Sequence, residues 1–217
     1  MINNRKNDTL VEREVASFLD EHLYKTDMFK EFARTDGIDE QMAGSDVILS
    51  TADGKLTRVV VDEKVASTQA NRNLGTFTLE LSFISKAGNR MCGWFTDMSK
   101  TTEYYLFGWI NRVDIPYDSE TMRWNTDMIR KDDIHELEWA LVSREKILSF
   151  LKKKGWTLER LGRQDEKIRQ NGCVATKDFI DEVSFRYSDK YIEKPVNLML
   201  KKETYMKLSD YNGKIVC

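Results

Sequence analysis

The chain has 217 residues, 41% of them hydrophobic and 11% aromatic, with a formal net charge of −2. That much apolar material can form a sizeable core, so the composition argues against a disordered protein and suits a single domain over residues 1–217. A protein whose main task is coating nucleic acid is usually basic, so the near-neutral balance argues against a packaging role. A local basic strip beside a catalytic cleft stays compatible with this balance.

The sequence carries no sign of membrane insertion or of a disulfide framework. No apolar run approaches the roughly 18 residues of a membrane-spanning helix, and the polar start lacks the pattern of a signal peptide. The cysteines Cys92, Cys173 and Cys217 are far apart and form no CxxC pair. We therefore expect a cytoplasmic protein with reduced thiols, no membrane partner and no zinc site.

The first half of the chain predicts one helix followed by strands. Apolar residues at helical spacing predict a helix that is capped by Asp8 or Thr9 and runs to about Tyr24. Its apolar face consists of Val11, Val15, Phe18, Leu19 and His22. Strand-like runs follow at residues 45–50, 56–65 and 76–83, the last with alternating apolar and polar side chains. A turn at residues 51–54 joins the first two runs.

The second half predicts a mixture of strands and helices. Residues 102–111 carry aromatic side chains on both faces, which indicates a buried central strand. A short strand is expected at residues 138–142, followed by a helix that begins at Ser143 and ends before Gly155. The remaining predictions are a charged helix at 156–170 and strands at 183–187 and 196–200. This order is typical of an α/β protein with a mixed β-sheet flanked by helices.

Two of the predicted strands carry the candidate chemistry. Asp46 follows Gly44-Ser45 at the start of one strand, and Asp62 stands two residues before Lys64 in the next. Because side chains alternate along a strand, Asp62 and Lys64 share one face, and Glu63 points to the opposite, apolar face.

The turn between these strands decides whether Asp46 shares that face. A two-residue loop, Asp53-Gly54, pairs Asp46 with Val61 and sends the two acids to opposite faces. A three-residue loop, Ala52-Asp53-Gly54, pairs Asp46 with Val60 and makes the acids same-face diagonal neighbours about 7–8 Å apart. We predict the odd-length loop or an equivalent bulge.

Two carboxylates and a lysine on one strand face suit the hydrolysis of a phosphodiester. Two carboxylates hold Mg²⁺ while leaving positions open for water, as that ion prefers. The metal lowers the pKa of bound water and neutralises charge on the phosphate oxygens. An adjacent ammonium group orients the attacking water or stabilises the developing negative charge.

The segments Ser45-Asp46 and Asp62-Glu63-Lys64, separated by a hairpin, resemble the motif of the PD-(D/E)XK nuclease superfamily. The proline of that motif is replaced here by Ser45. The resemblance implies a restriction-endonuclease-like mixed sheet flanked by helices. Its nuclease core would cover about residues 8–110, and a C-terminal α/β elaboration would cover about 111–217.

The resemblance also implies a metal-dependent nuclease with assigned roles. Asp46 and Asp62 would bind Mg²⁺, for which Mn²⁺ is a substitute, and Lys64 would be the catalytic lysine. Many members add an acid from the first helix, for which Glu14 is the candidate. Glu80, on the polar face of the next strand, is a further candidate metal ligand.

Other interpretations of the same residues stay open. The acids and the lysine also fit a solvated strand face with an ordinary cross-strand ion pair. The functional alternatives are a non-catalytic nucleic-acid-binding module and a protein-interaction module with the same fold. For a nuclease we expect DNA as the substrate, with RNA as the alternative, and a homodimer is an open alternative to a monomer. The lysine run 152–154 beside Trp156 fits either phosphate contact or a solvated helix end.

Overall fold

The computed structural model describes residues 4–35, 37, 43–172, 179–180 and 182–217, with side chains from residue 10 onward. The helices among them are α1 (Asn4–Leu19), α2 (Arg144–Lys153), α3 (Leu158–Asn171) and α4 (Lys202–Leu208). The strands are β1 (Phe29–Arg34), β2 (Val47–Thr51), β3 (Val59–Val65), β4 (Thr76–Ile84), β5 (Arg90–Cys92), β6 (Tyr104–Val113), β7 (Tyr117–Asp118), β8 (Arg123–Trp124), β9 (Ile134–Ser143), β10 (Ser184–Tyr187), β11 (Val196–Lys201) and β12 (Tyr211–Val216). None of the described helices is long and apolar enough to cross a membrane.

The fold is a mixed α/β architecture built on a six-stranded sheet. Its strand order is β1-β2-β3-β6-β9-β12, in which β3 and β6 run parallel and every other neighbouring pair is antiparallel. The connection from β3 to β6 contains β4 and β5, which join β10 and β11 in a four-stranded antiparallel sheet. The predicted α/β class with a mixed sheet is therefore confirmed.

Two hydrophobic cores lie on opposite faces of the large sheet. One core packs α1 against alternate residues of the central strands, including Val61 and Leu106. The other core packs the four-stranded sheet and the remaining helices against Tyr105, Phe107 and Trp109. Strand β6 contributes to both cores and pairs on both edges, so the predicted central buried strand is confirmed.

Most of the predicted elements are present with shifted ends. The runs at 45–50, 56–65, 76–83, 102–111, 183–187 and 196–200 are β2, β3, β4, β6, β10 and β11, and the two later helices are α2 and α3. The apolar face of α1 is confirmed, since Val11, Val15, Phe18 and Leu19 are buried. A π-helical turn, Asp20–Tyr24, continues the helix to its predicted end.

The predicted cap of the first helix was wrong, and the strand predictions were incomplete. Helix α1 begins at Asn4, so Asp8 and Thr9 lie inside it and do not form its cap. Strand β1 was not predicted. It has few apolar residues and an irregular register, so the sequence shows no clear alternation of apolar and polar side chains there. The strand predicted at 138–142 begins earlier, at Ile134. Its charged residue Glu136 is accommodated there by an ion pair at 2.8 Å with Lys214 on β12.

A buried polar network explains the acid on the apolar face of β3. Glu63 accepts a hydrogen bond from the Tyr24 hydroxyl at 2.7 Å and pairs with the Arg34 guanidinium at 2.7 Å. Arg34 also binds Asp20 and the backbone carbonyl of Ala16 on α1. Burial, followed by the charge of Glu63, raises the pKa of Tyr24 well above its usual range. The network joins α1, β1 and β3.

Replacing Glu63 with alanine should destabilise the fold. The substitution leaves the Tyr24 hydroxyl without its acceptor and Arg34 with Asp20 as its remaining carboxylate. Removing one partner of a mostly buried pair costs about 2–4 kcal/mol, to be measured by urea unfolding. Glu63→Gln keeps an acceptor for Tyr24 and should lose about half as much. A loss below about 0.5 kcal/mol for Glu63→Ala, the size of an ordinary surface substitution, would contradict this role.

Candidate acid site

The pairing of β2 with β3 places the two acids on one face of the sheet. Val47 pairs with Val61, and both belong to the core beneath α1, so by alternation the neighbouring Asp46 and Asp62 point to the opposite face. The backbone N–H of Asp46 donates to the carbonyl of Val61 at 2.9 Å. The carboxyl groups of Asp46 and Asp62 lie close enough for the charge of one to act on the other. The acids therefore lie on the same face, as the nuclease hypothesis requires.

The three-residue loop is absent, and the alternative that we predicted, an equivalent bulge, is present after a longer turn. The Thr51 N–H donates to the Leu56 carbonyl at 2.9 Å, which encloses a four-residue turn with Gly54 at a φ of +74°. Arg58 then adopts a φ of +51°, and its N–H donates to the Ser50 hydroxyl at 3.0 Å. This irregularity shifts the pairing by one residue. Arginine rarely adopts positive φ, so no turn signal in the sequence revealed the bulge.

The three predicted residues form one connected group. The Glu63 N–H donates to Asp46 Oδ2 at 2.7 Å, and the Asp46 and Asp62 carboxyl groups are within hydrogen-bonding reach of each other. The Lys64 ammonium bonds to Asp62 Oδ1 and lies 5.2 Å from the centroid of the Trp94 ring. The Asp62 side chain is 6% exposed and that of Lys64 26% exposed, so the group sits where the buried sheet face meets solvent.

Burial and the neighbouring Asp62 disfavour the charged form of Asp46. Burial, and then the negative charge of Asp62, raise the pKa of Asp46 to about 7, against the opposing effects of Lys64 and the Glu63 N–H. A carboxyl with a raised pKa prefers to hold a proton or to share a cation with its neighbour. The site therefore favours a positive charge between the two acids.

A tight backbone contact holds the strand that carries Asp46. Gly44 has a φ of +79°, and its carbonyl accepts a hydrogen bond from the Thr102 hydroxyl at 2.7 Å. The Thr101 N–H donates to the Ala43 carbonyl at 2.9 Å. A Cβ at Gly44 would lie 2.4 Å from Thr102 Oγ1 and 3.7 Å from Asp62 Oδ2. Gly44 is therefore required both for its conformation and for its close approach to the acid site.

The structure does not bring Glu14 to the acid pair. Glu14 accepts a hydrogen bond from the Lys131 N–H at 2.9 Å, and α1 packs on the sheet face that carries Val61. Asp46 and Asp62 point to the other face, because side chains alternate along β3. The predicted site role of Glu14 is therefore corrected to a contact between α1 and the Lys131 backbone.

Glu80 lies closer to the site but does not complete a metal-binding group. It is on β4 in the four-stranded sheet, where burial raises its pKa and the charge of Lys64 lowers it. Among the described residues, no three or more His, Cys, Asp or Glu side chains are arranged to hold a metal ion. The carboxylates that the structure brings together are Asp46 and Asp62.

Other parts of the predicted chemistry have ordinary structural roles. Trp156 is buried against Phe185, with ring centroids 5.1 Å apart, so it offers no stacking surface. Lys154 pairs with Glu182 at 2.5 Å.

A cavity of about 380 Å³ beside α2 lies outside the acid site. It is lined by Glu145, Lys146, Ser149, Phe150, Lys153 and Leu208, and this lining contains no pair of acids.

Sequence reasoning missed two aromatic neighbours of the site. Trp94 lies beneath the Lys64 ammonium, and Tyr105 pairs with Asp62 across β3 and β6. The alternation on β6 assigns Tyr105 to one face, but no sequence signal gives the register of two parallel strands that are far apart in the chain.

Comparison with known proteins finds no matching family model, no matching curated protein and no matching solved structure.

Gly44→Ala should cost more stability than Gly54→Ala, its matched control. Both place a side chain at positive φ, which costs about 1–2 kcal/mol. At Gly44 the new Cβ also meets Thr102 Oγ1, whereas no atom of the described residues lies within 4 Å at Gly54. We expect an additional loss of about 1–3 kcal/mol in urea unfolding, part of which Thr102→Ala restores. Equal losses for the two glycine variants would show that Gly44 is not tightly packed.

Asp46 should make stability fall as the pH rises towards neutrality. Its pKa in the folded protein is about 7 and the ordinary aspartate value is 3.8, so between these values the native state binds the extra proton. The contribution of Asp46 is therefore complete below about pH 4 and is lost by about pH 7, with a slope of at most about 1.4 kcal/mol per pH unit. Urea unfolding from pH 4 to 8 measures it as the difference between wild type and Asp46→Asn. Parallel curves would contradict the raised pKa.

Proposed function

We propose that this protein is a metal-dependent nuclease that hydrolyses phosphodiester bonds, with DNA as its substrate. The observation that carries the proposal is the proximity of the Asp46 and Asp62 carboxyl groups, with the Lys64 ammonium bonded to Asp62. A pair of acids at a solvent boundary, one with its pKa raised to about 7, is typical of a functional site.

The donor set fits Mg²⁺, with Mn²⁺ as a substitute. Asp62 Oδ1 accepts from Lys64 and Asp46 Oδ2 accepts from the Glu63 N–H. The other oxygen of each carboxyl group, Asp62 Oδ2 or Asp46 Oδ1, is the one offered to a cation. Mg²⁺ is commonly held by one or two carboxylates together with water and substrate phosphate, so a third acid such as Glu80 is not required. When bound, the ion supplies Lewis-acid stabilisation of the phosphate charge and lowers the pKa of water.

The residues of the chain itself supply the rest of the chemistry. Asp46 must release its proton before both carboxylates act as ligands, so cation affinity should rise with pH through about 7. Lys64, held between Asp62 and the Trp94 ring, places an ammonium group beside the acids. There it donates to phosphate oxygens that gain charge during bond cleavage.

The fold supports the same proposal. A helix followed by an antiparallel β1-β2-β3 arrangement and the parallel strand β6 is compatible with the mixed sheet, flanked by helices, that the PD-(D/E)XK resemblance implies. Asp46 lies immediately before β2 and Asp62 lies within β3, where the motif residues of that superfamily are expected. We therefore propose a restriction-endonuclease-like fold for the large sheet and its helices.

A cleavage assay tests the proposed activity. Wild type with Mg²⁺ should cut DNA offered in single-stranded, duplex and branched forms, and EDTA should abolish cutting. Asp46→Asn, Asp62→Asn and Lys64→Met should each lower the rate by roughly 10²-fold or more, because each removes a group that acts on the reacting phosphate. An RNA substrate run in parallel tests the alternative nucleic acid.

Glu14→Gln is the matched control, since it changes a carboxylate on the opposite face of the sheet. Its rate should stay within about twofold of wild type. If no nucleic acid is cut, or if Asp62→Asn cuts as fast as wild type, the enzyme proposal is wrong. DNA binding that persists without cleavage would favour a non-catalytic binding module.

A further inference from the structure

A buried tyrosine borders the acid site beside the two carboxylates. Tyr105 on β6 pairs in parallel register with Asp62 on β3, so both side chains point to the same face of the sheet. Tyr105 is fully buried, and its ring meets the Trp94 ring edge to face, with centroids 5.1 Å apart. The hydroxyl therefore belongs to the same layer of side chains as the acids.

The Tyr105 hydroxyl has no hydrogen-bond partner among the residues that the structure describes. Buried polar groups nearly always have such a partner, and one without it destabilises the fold. Phenylalanine would fill the same space without that cost, as Phe107 does two residues further on the same face. A tyrosine at this position therefore points to an acceptor that is present only when the site is occupied.

Burial keeps this hydroxyl protonated, so it acts as a hydrogen-bond donor. Burial above all, and then the charge of Asp62, raise the pKa of Tyr105, while Arg144 lowers it. The hydroxyl therefore keeps its proton at neutral pH. Arg144 is buried too, and its guanidinium binds the carbonyls of Phe95 and Asp97, whereas its Nε has no partner within the described part of the chain. Two buried donors, on Tyr105 and on the neighbouring Arg144, thus find no acceptor in the described ranges of the chain.

We propose that Tyr105 is a further functional residue of the acid site, whose hydroxyl donates a hydrogen bond to an oxygen of the ligand that binds at Asp46 and Asp62. The inference rests on the proposed nuclease function. The accepting oxygen belongs either to water that accompanies the cation or to a phosphate group, and both are hydrogen-bond acceptors. The bond exists only in the liganded state, so it stabilises that state alone.

Tyr105→Phe tests the inference, with Tyr205→Phe as the matched control. Tyr205 is also fully buried, but its hydroxyl donates to the Phe77 carbonyl at 3.3 Å. Thermal unfolding of the free protein should show Tyr105→Phe melting about 2–4 °C above wild type and Tyr205→Phe melting below it. Removing the unpartnered hydroxyl of Tyr105 should raise the melting temperature, and removing the hydrogen-bonded hydroxyl of Tyr205 should lower it.

Calorimetric titration then measures two probes, Mg²⁺ alone and Mg²⁺ with a DNA oligonucleotide joined by phosphorothioate linkages. Tyr105→Phe should bind about threefold to tenfold more weakly, the effect of losing one hydrogen bond. Tyr205→Phe should match wild type. Weakening already seen with Mg²⁺ alone assigns the acceptor to water, and weakening confined to the oligonucleotide assigns it to phosphate.

The outcomes separate this inference from the nuclease proposal. If Tyr105→Phe melts below wild type, as the control does, the hydroxyl has a partner in the free protein and the inference is wrong. It is also wrong if wild type and Tyr105→Phe bind both probes equally, and the nuclease proposal then stands. If wild type neither binds the probes nor cuts DNA, the nuclease proposal fails and the inferred acceptor fails with it.

Discussion

The candidate site depends on the register between β2 and β3. A shift of one residue would turn every side chain of β2 to the other face, because the side-chain period of a strand is two. Asp46 would then enter the core beneath α1, and the buried Val47 and Leu49 would leave it. The burial of Val47 and Leu49 in the core that they share with α1 resists that shift. Packing on one face of the sheet thus determines the geometry of the acids on the other.

Three consecutive residues of β3 show that the two faces of the sheet have different roles. Asp62 and Lys64 lie on the face of the candidate site, and Glu63 between them points towards Tyr24 and Arg34. Glu63 is satisfied by partners from the chain itself, which fits a structural role. Asp62 has a second acid, Asp46, beside it, and burial together with the charge of Asp62 raises the pKa of Asp46. Acidic residues one position apart therefore have opposite electrostatic surroundings, because the backbone alternates.

Sequence reasoning predicted the elements whose pattern is local and missed those that depend on distant partners. The apolar spacing of α1 and the β-branched run of β3 were sufficient, since burial follows directly from their periodicity. Strand β9 carries Glu136, whose partner Lys214 is distant in sequence, and this charge hid part of the strand. The same limit applies to the site. Alternation alone joined Asp62 to Lys64, but the bulge at Arg58 and the parallel pairing of Tyr105 require tertiary contacts.

The repulsion between Asp46 and Asp62 persists because the backbone around it has little freedom to relax. Two acids on a flexible loop would move apart and recover their ordinary pKa values. Here Asp46 is held by the Glu63 N–H and, two residues earlier, by the contact of Gly44 with Thr102. Asp62 lies in a strand paired on both edges, with β2 and β6. The fold therefore maintains an unfavourable arrangement of charge that a proton or a cation relieves. Of these two, only the cation leaves both carboxylates charged at neutral pH, which is the state that the proposed Mg²⁺ site beside Lys64 requires.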